Sequence, residues 1–331
     1  MKKSLYLLAA LAVISNTTFA ETTLTEEIYN TQTEVLSEVI IPQDSKWYFT
    51  GRLYLETEDI QNSSKVRRAP NKMEKVGNSE DGLFLGTGVA ASRDRLTLDL
   101  NVERRYNGDV YSFKESARDM TKVDWKVRYQ LFEKQGFHIK YRNEQADNFR
   151  RDRIELGTDW NYYDNMFTGW AVIGHDKDKS NGKNSKGNFW EFEFGPTFSL
   201  TEKLSINPTI YNIGEFYDNY EMVETQIRIM TPYVVNEKLT VMPRIRLTLD
   251  KNVDDKIDGN YKKSWDATFG NRIRYELMAN YIINEDFSTF ISIGYENEKR
   301  DFENSKYFGG VNGKQSHNMW CGYIGLTYKF N

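Results

Sequence analysis

The side chains best suited to catalysis are few in this 331-residue chain. Its three histidines are His138, His175 and His317. His175 precedes Asp176, a base beside a carboxylate that could orient it for hydrolysis. Ser316-His317-Asn318 brings together a nucleophile, a base and an orienting amide. Both groups fall in segments that read as strands, where neighbouring side chains point to opposite faces. His317 then looks away from Ser316 and Asn318, and His175 away from Asp176. His138 falls near a tight turn. Hydrolytic catalysis is therefore not expected.

Metal chemistry is equally poorly supported. Asp250-Lys251-Asn252-Val253-Asp254 has the first three ligand positions of an EF-hand loop, but Asp255 stands where Gly belongs and Tyr261 where the closing Glu belongs. Asp176 to Gly182 places its Gly one position late. Both read as solvated loops that would support weak calcium binding at most. There is no Gly-rich phosphate loop and no Cys/His metal spacing, so no cofactor is expected. The one cysteine, Cys321, cannot form an internal disulfide and reads as a small wall residue.

The more informative pattern is charge at every second position. Leu239, Val241, Pro243, Ile245, Leu247 and Leu249 alternate with Thr240, Met242, Arg244, Arg246, Thr248 and Asp250. Val123, Trp125, Val127 and Tyr129 alternate with Lys122, Asp124, Lys126 and Arg128. Leu96, Leu98, Leu100 and Val102 do so with Thr97, Asp99, Asn101 and Glu103, and Trp190, Phe192 and Phe194 with Glu191 and Glu193. A period of two marks strands with one apolar and one polar face. The polar faces together carry Arg52, Lys126, Arg128, Lys140, Arg142, Arg153, Arg228, Arg244, Arg246, Arg272 and Arg274, with Glu191 and Glu193 between two basic groups. Opposed basic and acidic walls would sort ions, and guanidinium ladders suit carboxylate or sulfate sugars. The plainer expectation is that these charges pair across strands and keep the interior wet.

Candidate strands run at 46–56, 82–92, 94–106, 119–132, 136–145, 149–162, 165–176, 187–200, 203–215, 219–234, 238–250, 265–283, 286–299 and 315–330. Each approaches the ~9–11 residues that a tilted membrane strand needs in the bilayer core. Tight connections alternate with longer ones at 57–81, 107–118, 177–186, 251–264 and 300–314, although those near 146–148 and 216–218 are short. This predicts an all-β, antiparallel, up-and-down transmembrane barrel of about 14 strands. Both termini would lie on the short-turn side. A soluble sandwich or β-helix would also alternate. It explains strand length and loop asymmetry less well.

The amino terminus agrees. Met1-Lys2-Lys3 is followed by an apolar run from Leu5 to Ile14, too short to span a bilayer, and then Thr18-Phe19-Ala20. This reads as a signal peptide, 1–20, cleaved after Ala20. Its removal lowers the basic count from 44 to 42 against 48 acids, a net charge of about −6. So mild a balance argues against nucleic-acid binding. Residues 21–45 resemble a capped helix or linker, expected in the periplasm, and 46–331 form the barrel. The mean hydropathy of −0.68 fits a chain whose strands are apolar on one face only.

The final strand, Trp320 to Phe330, places Trp320, Gly322, Ile324, Leu326, Tyr328 and Phe330 on one face. A closing strand with an aromatic tip resembles that of bacterial outer-membrane barrels, although Asn331 follows the aromatic here. Over 46–331 the chain resembles Gram-negative outer-membrane porins. Strand count and Lys- and Asn-rich composition make it similar to the fusobacterial major porin group. The Arg ladders resemble those of the smaller oligogalacturonate-specific porins. The resemblance implies an outer-membrane location and passive diffusion of ions and small hydrophilic solutes. It also implies contact with lipid and lipopolysaccharide, recognition of the last strand by the barrel-assembly machinery, and a possible homo-oligomer. Alternative functions are an adhesin or receptor carried on loops 57–81, 251–264 and 300–314, and a channel for acidic oligosaccharides.

Overall fold

The computed structural model describes residues 46–60, 64–69, 72–76, 82–107, 119–257, 260–305 and 311–330. The expected signal peptide with its cleavage at Ala20, and the segment 21–45, lie outside the described residues. A closed antiparallel barrel of 14 strands forms the molecule. Its strands are β1 Tyr48–Ile60, β2 Gly82–Arg93, β3 Leu96–Asn107, β4 Met120–Phe132, β5 Gln135–Ala146, β6 Phe149–Tyr162 and β7 Phe167–Ser180. The second half comprises β8 Lys183–Gly195, β9 Ser205–Tyr217, β10 Tyr220–Met230, β11 Leu239–Ile257, β12 Arg272–Ile282, β13 Phe287–Ser305 and β14 Val311–Phe330. Each strand pairs with the next, and β14 closes on β1 with Phe330 opposite Phe49 and Leu326 opposite Leu53. Closure removes the free edges that an open sheet would expose.

The register turns the sequence alternation into two surfaces. Leu156 lies opposite both Ile139 and Ile173, so three strands present aliphatic side chains outward at one level. Leu53, Ile154 and Ile173 are 62%, 57% and 61% exposed. Such residues continue around the wall, as Val89, Val127, Ile210, Leu277, Ile293 and Ile324. A continuous apolar belt of this kind is far larger than the patches a monomeric water-soluble protein exposes, and it is what a barrel presents to hydrocarbon. At the rim carrying the tight turns the outward residues become aromatic: Phe49, Phe132, Phe167, Phe198, Tyr233, Phe287 and Phe330. Aromatic rings at this level suit a membrane–water boundary, Tyr233 with its hydroxyl best of all.

The strand count matches the sequence expectation, but several boundaries move. The segment 177–186 is not a long loop. Strands β7 and β8 continue to Ser180 and from Lys183, joined by Asn181 and Gly182 with φ of 48° and 78°. Asn-Gly with two positive φ angles is a hairpin turn whose twist matches its strands. The segment 251–264 also becomes sheet. Strand β11 runs to Ile257 and pairs with a short strand, Asn260–Thr268. The expected single strand 265–283 is broken by Phe269-Gly270-Asn271, where Gly270 takes a φ of 80°. Prolines shorten two others. Pro196 follows β8 and Pro232 follows β10, and neither can donate to the ladder.

Strands β13 and β14 rise together until Ser305 faces Val311. In the 57–81 connection, Ser64–Ala69 pairs with Lys72–Val76 and also with Lys314 to Ser316 of β14. The rim opposite the termini is therefore uneven: tall ribbons stand over β11 to β14 and β1, while two-residue turns close β5–β6, β7–β8 and β9–β10. Residues 108–118 lie outside the description.

Inside the wall, β2 is nearly bare. Gly86 and Gly88 stand opposite Tyr54 and Arg52 in register. A Cβ on Gly86 would lie 1.8 Å from the Tyr54 ring. The absence of side chains lets Arg52 and Tyr54 lie across β2 and reach acceptors on β3.

Candidate solute pathway

Each residue expected on the polar face projects inward. Arg52, Lys126, Arg128, Arg142, Arg153, Glu191, Glu193, Arg228, Arg244, Arg246, Arg272 and Arg274 are all buried within the barrel, and Lys140 is nearly so. Their geometry is one of mutual pairing. Arg52 donates to both oxygens of Asp99 at 2.9 and 2.8 Å, and Tyr54 donates to Glu103 at 2.8 Å. Lys126 lies opposite Asp99 in the ladder. Across β4 to β7, Arg142 grips Asp124 at 2.7 and 3.1 Å, and Arg128 grips Asp159 at 2.9 and 2.6 Å. Lys140 pairs with Glu155, and Arg153 holds Asp176 at 2.7 and 2.8 Å.

On the other side, Arg228 of β10 reaches past β9 to Glu193 of β8 at 2.8 Å. Its guanidinium lies 3.5 Å from the centre of the Tyr211 ring, and Tyr211 donates to Glu191 at 2.6 Å. Arg244 and Arg246 share Glu276 at 2.5 to 2.9 Å. Arg272 bridges Glu224 at 2.6 Å and Glu296 at 3.0 Å, and Arg274 meets Glu296 at 2.6 Å. Burial withdraws these charges from water, so each needs a nearby countercharge and hydrogen bonds to be tolerated.

This pairing follows the plainer expectation and not the alternative of opposed basic and acidic walls. Acids interleave with bases in every sector: Asp124, Glu155, Asp159 and Asp176 among the first basic group, and Glu224, Glu276 and Glu296 among the second. Long Arg and Lys side chains reach neighbouring and next-neighbouring strands, so sign is neutralised locally and not across the lumen.

Two inward patches escaped the sequence reading. Met230, Met242, Met278, Phe290, Cys321, Tyr54 and Tyr323 form one apolar cluster around β10 to β14 and β1. Trp170, Val172, Phe189, Tyr211 and Ile213 form another on β7 to β9. Met242 stood in the polar phase of β11, and that parity was the available signal. Cys321 is buried there as a wall residue against Gly294.

Between the walls, toward the rim opposite the termini, lies a cavity of about 400 Å³. It spans from β3–β6 to β9–β11. Arg105, Arg142, Arg151, Arg153 and Lys251 meet it, as do Glu144, Glu215 and Glu224.

The residues weighed for catalysis and calcium do not converge. His175 bonds Asn188 through Nδ1 at 2.9 Å on the outer face, while Asp176 faces inward on Arg153. Asn318 bonds Asn297. The side chain of His317 lies outside the description. Asp250 to Asp254 and Asp176 to Ser180 are extended strand and not ligand loops, and the carboxylates of Asp176 and Asp178 are taken up by Arg153 and Arg151. Among the described residues no cluster of three or more His, Cys, Asp or Glu is placed to hold a metal.

No family model and no curated protein sequence matches the chain. Solved structures do. The Pseudomonas putida toluene transporter TodX aligns over 96% of this chain and 97% of its own, at 10% identity and a TM-score of 0.50. A bacterial polysaccharide outer-membrane secretin aligns over 86% and 98%, at 8% identity and a TM-score of 0.52. The fold is that of an outer-membrane β-barrel. A Pseudomonas aeruginosa FadL homologue also aligns, over 85% and 90%, at 9% identity and a TM-score of 0.46. Identities this low speak for the fold and not for a shared solute.

Proposed function

We propose that the protein is an outer-membrane porin, a passive diffusion channel for ions and small hydrophilic solutes. The observation that carries this reading is the pairing of a lipid-compatible apolar belt with an interior of hydrogen-bonded charges. A lumen lined by paired charges of both signs is compatible with ions and polar solutes, whereas an apolar lumen would reject them. The tight-turn rim and both termini would face the periplasm, and the tall ribbons the exterior. The barrel would contact lipid and lipopolysaccharide, use β14 as its assembly signal and, in the fusobacterial porin group it resembles, act without cofactor or catalysis. A homo-oligomer fits the same reading. Purified protein in a planar bilayer should give discrete current steps. Arg244→Gln and Arg246→Gln should move the reversal potential in a salt gradient toward cation preference. Membrane-inserted, heat-modifiable protein that passes no current would refute the proposal.

The ribbons of β11, β13 and β14 beyond the belt also support a receptor or adhesin role. Deleting loops 57–81, 251–264 and 300–314 should then abolish cell binding and leave conductance intact.

A further inference from the structure

We infer that the outward face of β6 to β8, at the rim opposite the termini, is a docking site for the phosphates of an acylated glycolipid of the lipopolysaccharide class. This deepens the outer-membrane reading and rests on its orientation of the barrel. On these three strands the outward surface changes from apolar to basic within two steps of the alternation. Leu156, Ile173 and Trp190 stand in one register row, and Ile154, His175 and Asn188 in the next. Asp152, Lys177 and Lys186 follow, then Arg150, Lys179 and Asn184. Phe167, in the aromatic girdle of the turn rim, and Lys177 are ten residues apart on β7. At ~3.3 Å per residue and a tilt of ~40°, that separation is about 25 Å along the membrane normal, the height of the apolar band of such barrels. The lysines therefore stand where hydrocarbon ends and headgroups begin.

Their charge has no local counterpart. Lys177, Lys179 and Lys186 are exposed, and none of them forms an ion pair among the described residues. Lys177 lies directly opposite Lys186, a like-charge placement that destabilises a strand pair unless an anion joins it. The carboxylate in these rows, Asp152, already accepts Arg150 at 2.9 and 3.1 Å, the Tyr141 hydroxyl at 2.6 Å and the Asn143 amide at 2.8 Å. Asp218, in the next turn, accepts the Lys186 backbone N–H at 3.0 Å. Over β10 and β11 the outward rim is instead acidic, with Glu221 opposite Asp254. Basic charge is thus gathered in one sector and not scattered around the rim. Directly opposed residues have Cβ atoms about 5 Å apart, and Lys179 stands one step above, so three ammonium groups can converge on one phosphate. Lysine stems can lie along the apolar wall while their heads stay among headgroups. Below them Ile154, Ile173 and Trp190 are exposed and offer a surface to acyl chains, and Asn184 above offers an amide to sugar hydroxyls. Free phosphate would meet the ammonium groups alone, and an uncharged lipid the wall alone. The arrangement favours a molecule that carries both.

Calorimetric titration of lipopolysaccharide into the delipidated full-length barrel in detergent tests the site independently of transport. Lipopolysaccharide should bind saturably. Its dephosphorylated form, and Lys177→Gln combined with Lys186→Gln, should each weaken binding by about tenfold or more, since every basic residue at an anionic lipid surface contributes several-fold. Glu221→Gln, in the acidic sector, should leave affinity unchanged. Because both lysines are exposed, the double variant should keep heat-modifiable folding and wild-type current steps, which separates loss of the site from loss of the fold. Equal affinity of wild type and the double variant, or of the phosphorylated and dephosphorylated forms, would overturn the site even in a conducting protein. Inorganic phosphate or phosphatidylglycerol binding as tightly as lipopolysaccharide would overturn the glycolipid as its occupant. Binding without any current would instead refute the channel and leave the site standing.

Discussion

At the scale of single residues, the interior is governed by the cost of burying charge. Glu276 is the sharpest case, since one carboxylate serves both Arg244 and Arg246. Glu276→Gln keeps the shape and removes the charge, leaving two buried guanidinium groups poorly compensated. Breaking a buried pair costs about 3–5 kcal/mol. Denaturant unfolding of the membrane-inserted protein should register a loss of that size. A loss below about 1 kcal/mol, the range of exposed pairs, would mean that water screens this part of the lumen. The inward parity of these residues was legible in the sequence, because alternation assigns a face. Their partners were not. Arg228 to Glu193 joins side chains 35 residues apart and passes over an intervening strand, which no local pattern encodes.

At the scale of elements, turn chemistry explains both the reading that worked and the one that did not. Tight turns at the terminal rim were visible as polar breaks between alternating runs. At 177–186 the same polar character concealed an Asn-Gly hairpin, because lysines and aspartates on the outer ends of β7 and β8 resemble loop residues. Gly182 adopts a φ of 78°, where a Cβ is disfavoured. Gly182→Val should lower stability by about 1–2 kcal/mol, the penalty for left-handed backbone. Asn181→Gly should change it by less than about 0.5 kcal/mol. Equal effects of the two changes would show that the φ requirement is relieved by opening of the hairpin. The broken strand before β12 follows similar logic. Gly270 at a φ of 80° interrupts a run that alternation alone reads as continuous.

At the scale of the molecule, the outward belt determines what medium the protein can occupy. Leu156 sits in the middle of β6 with half its surface exposed, facing outward between Ile139 and Ile173. Leu156→Lys should destabilise the barrel in lipid vesicles by about 2–4 kcal/mol, and Leu200→Lys at the turn rim by no more than about 1 kcal/mol. Equal, small costs at both positions would argue that the belt is not immersed in hydrocarbon. The low rim over β5 to β10 and the tall ribbons opposite it also belong to this scale.

The amino-acid sequence by itself determined the strand period, the strand count, the inward and outward faces and the tight-turn rim. Each depends on neighbours within a few residues, where sterics and pleat geometry impose a period of two. Only the tertiary structure decided which charges neutralise each other, where Met242 and Phe290 gather with Tyr323, and that Arg105, Arg151 and Lys251 share one cavity with Tyr220. Those relations arise when barrel closure brings separate strands face to face. Their physical basis is the reach of long side chains across a curved wall, and reach depends on register and curvature, not on local pattern.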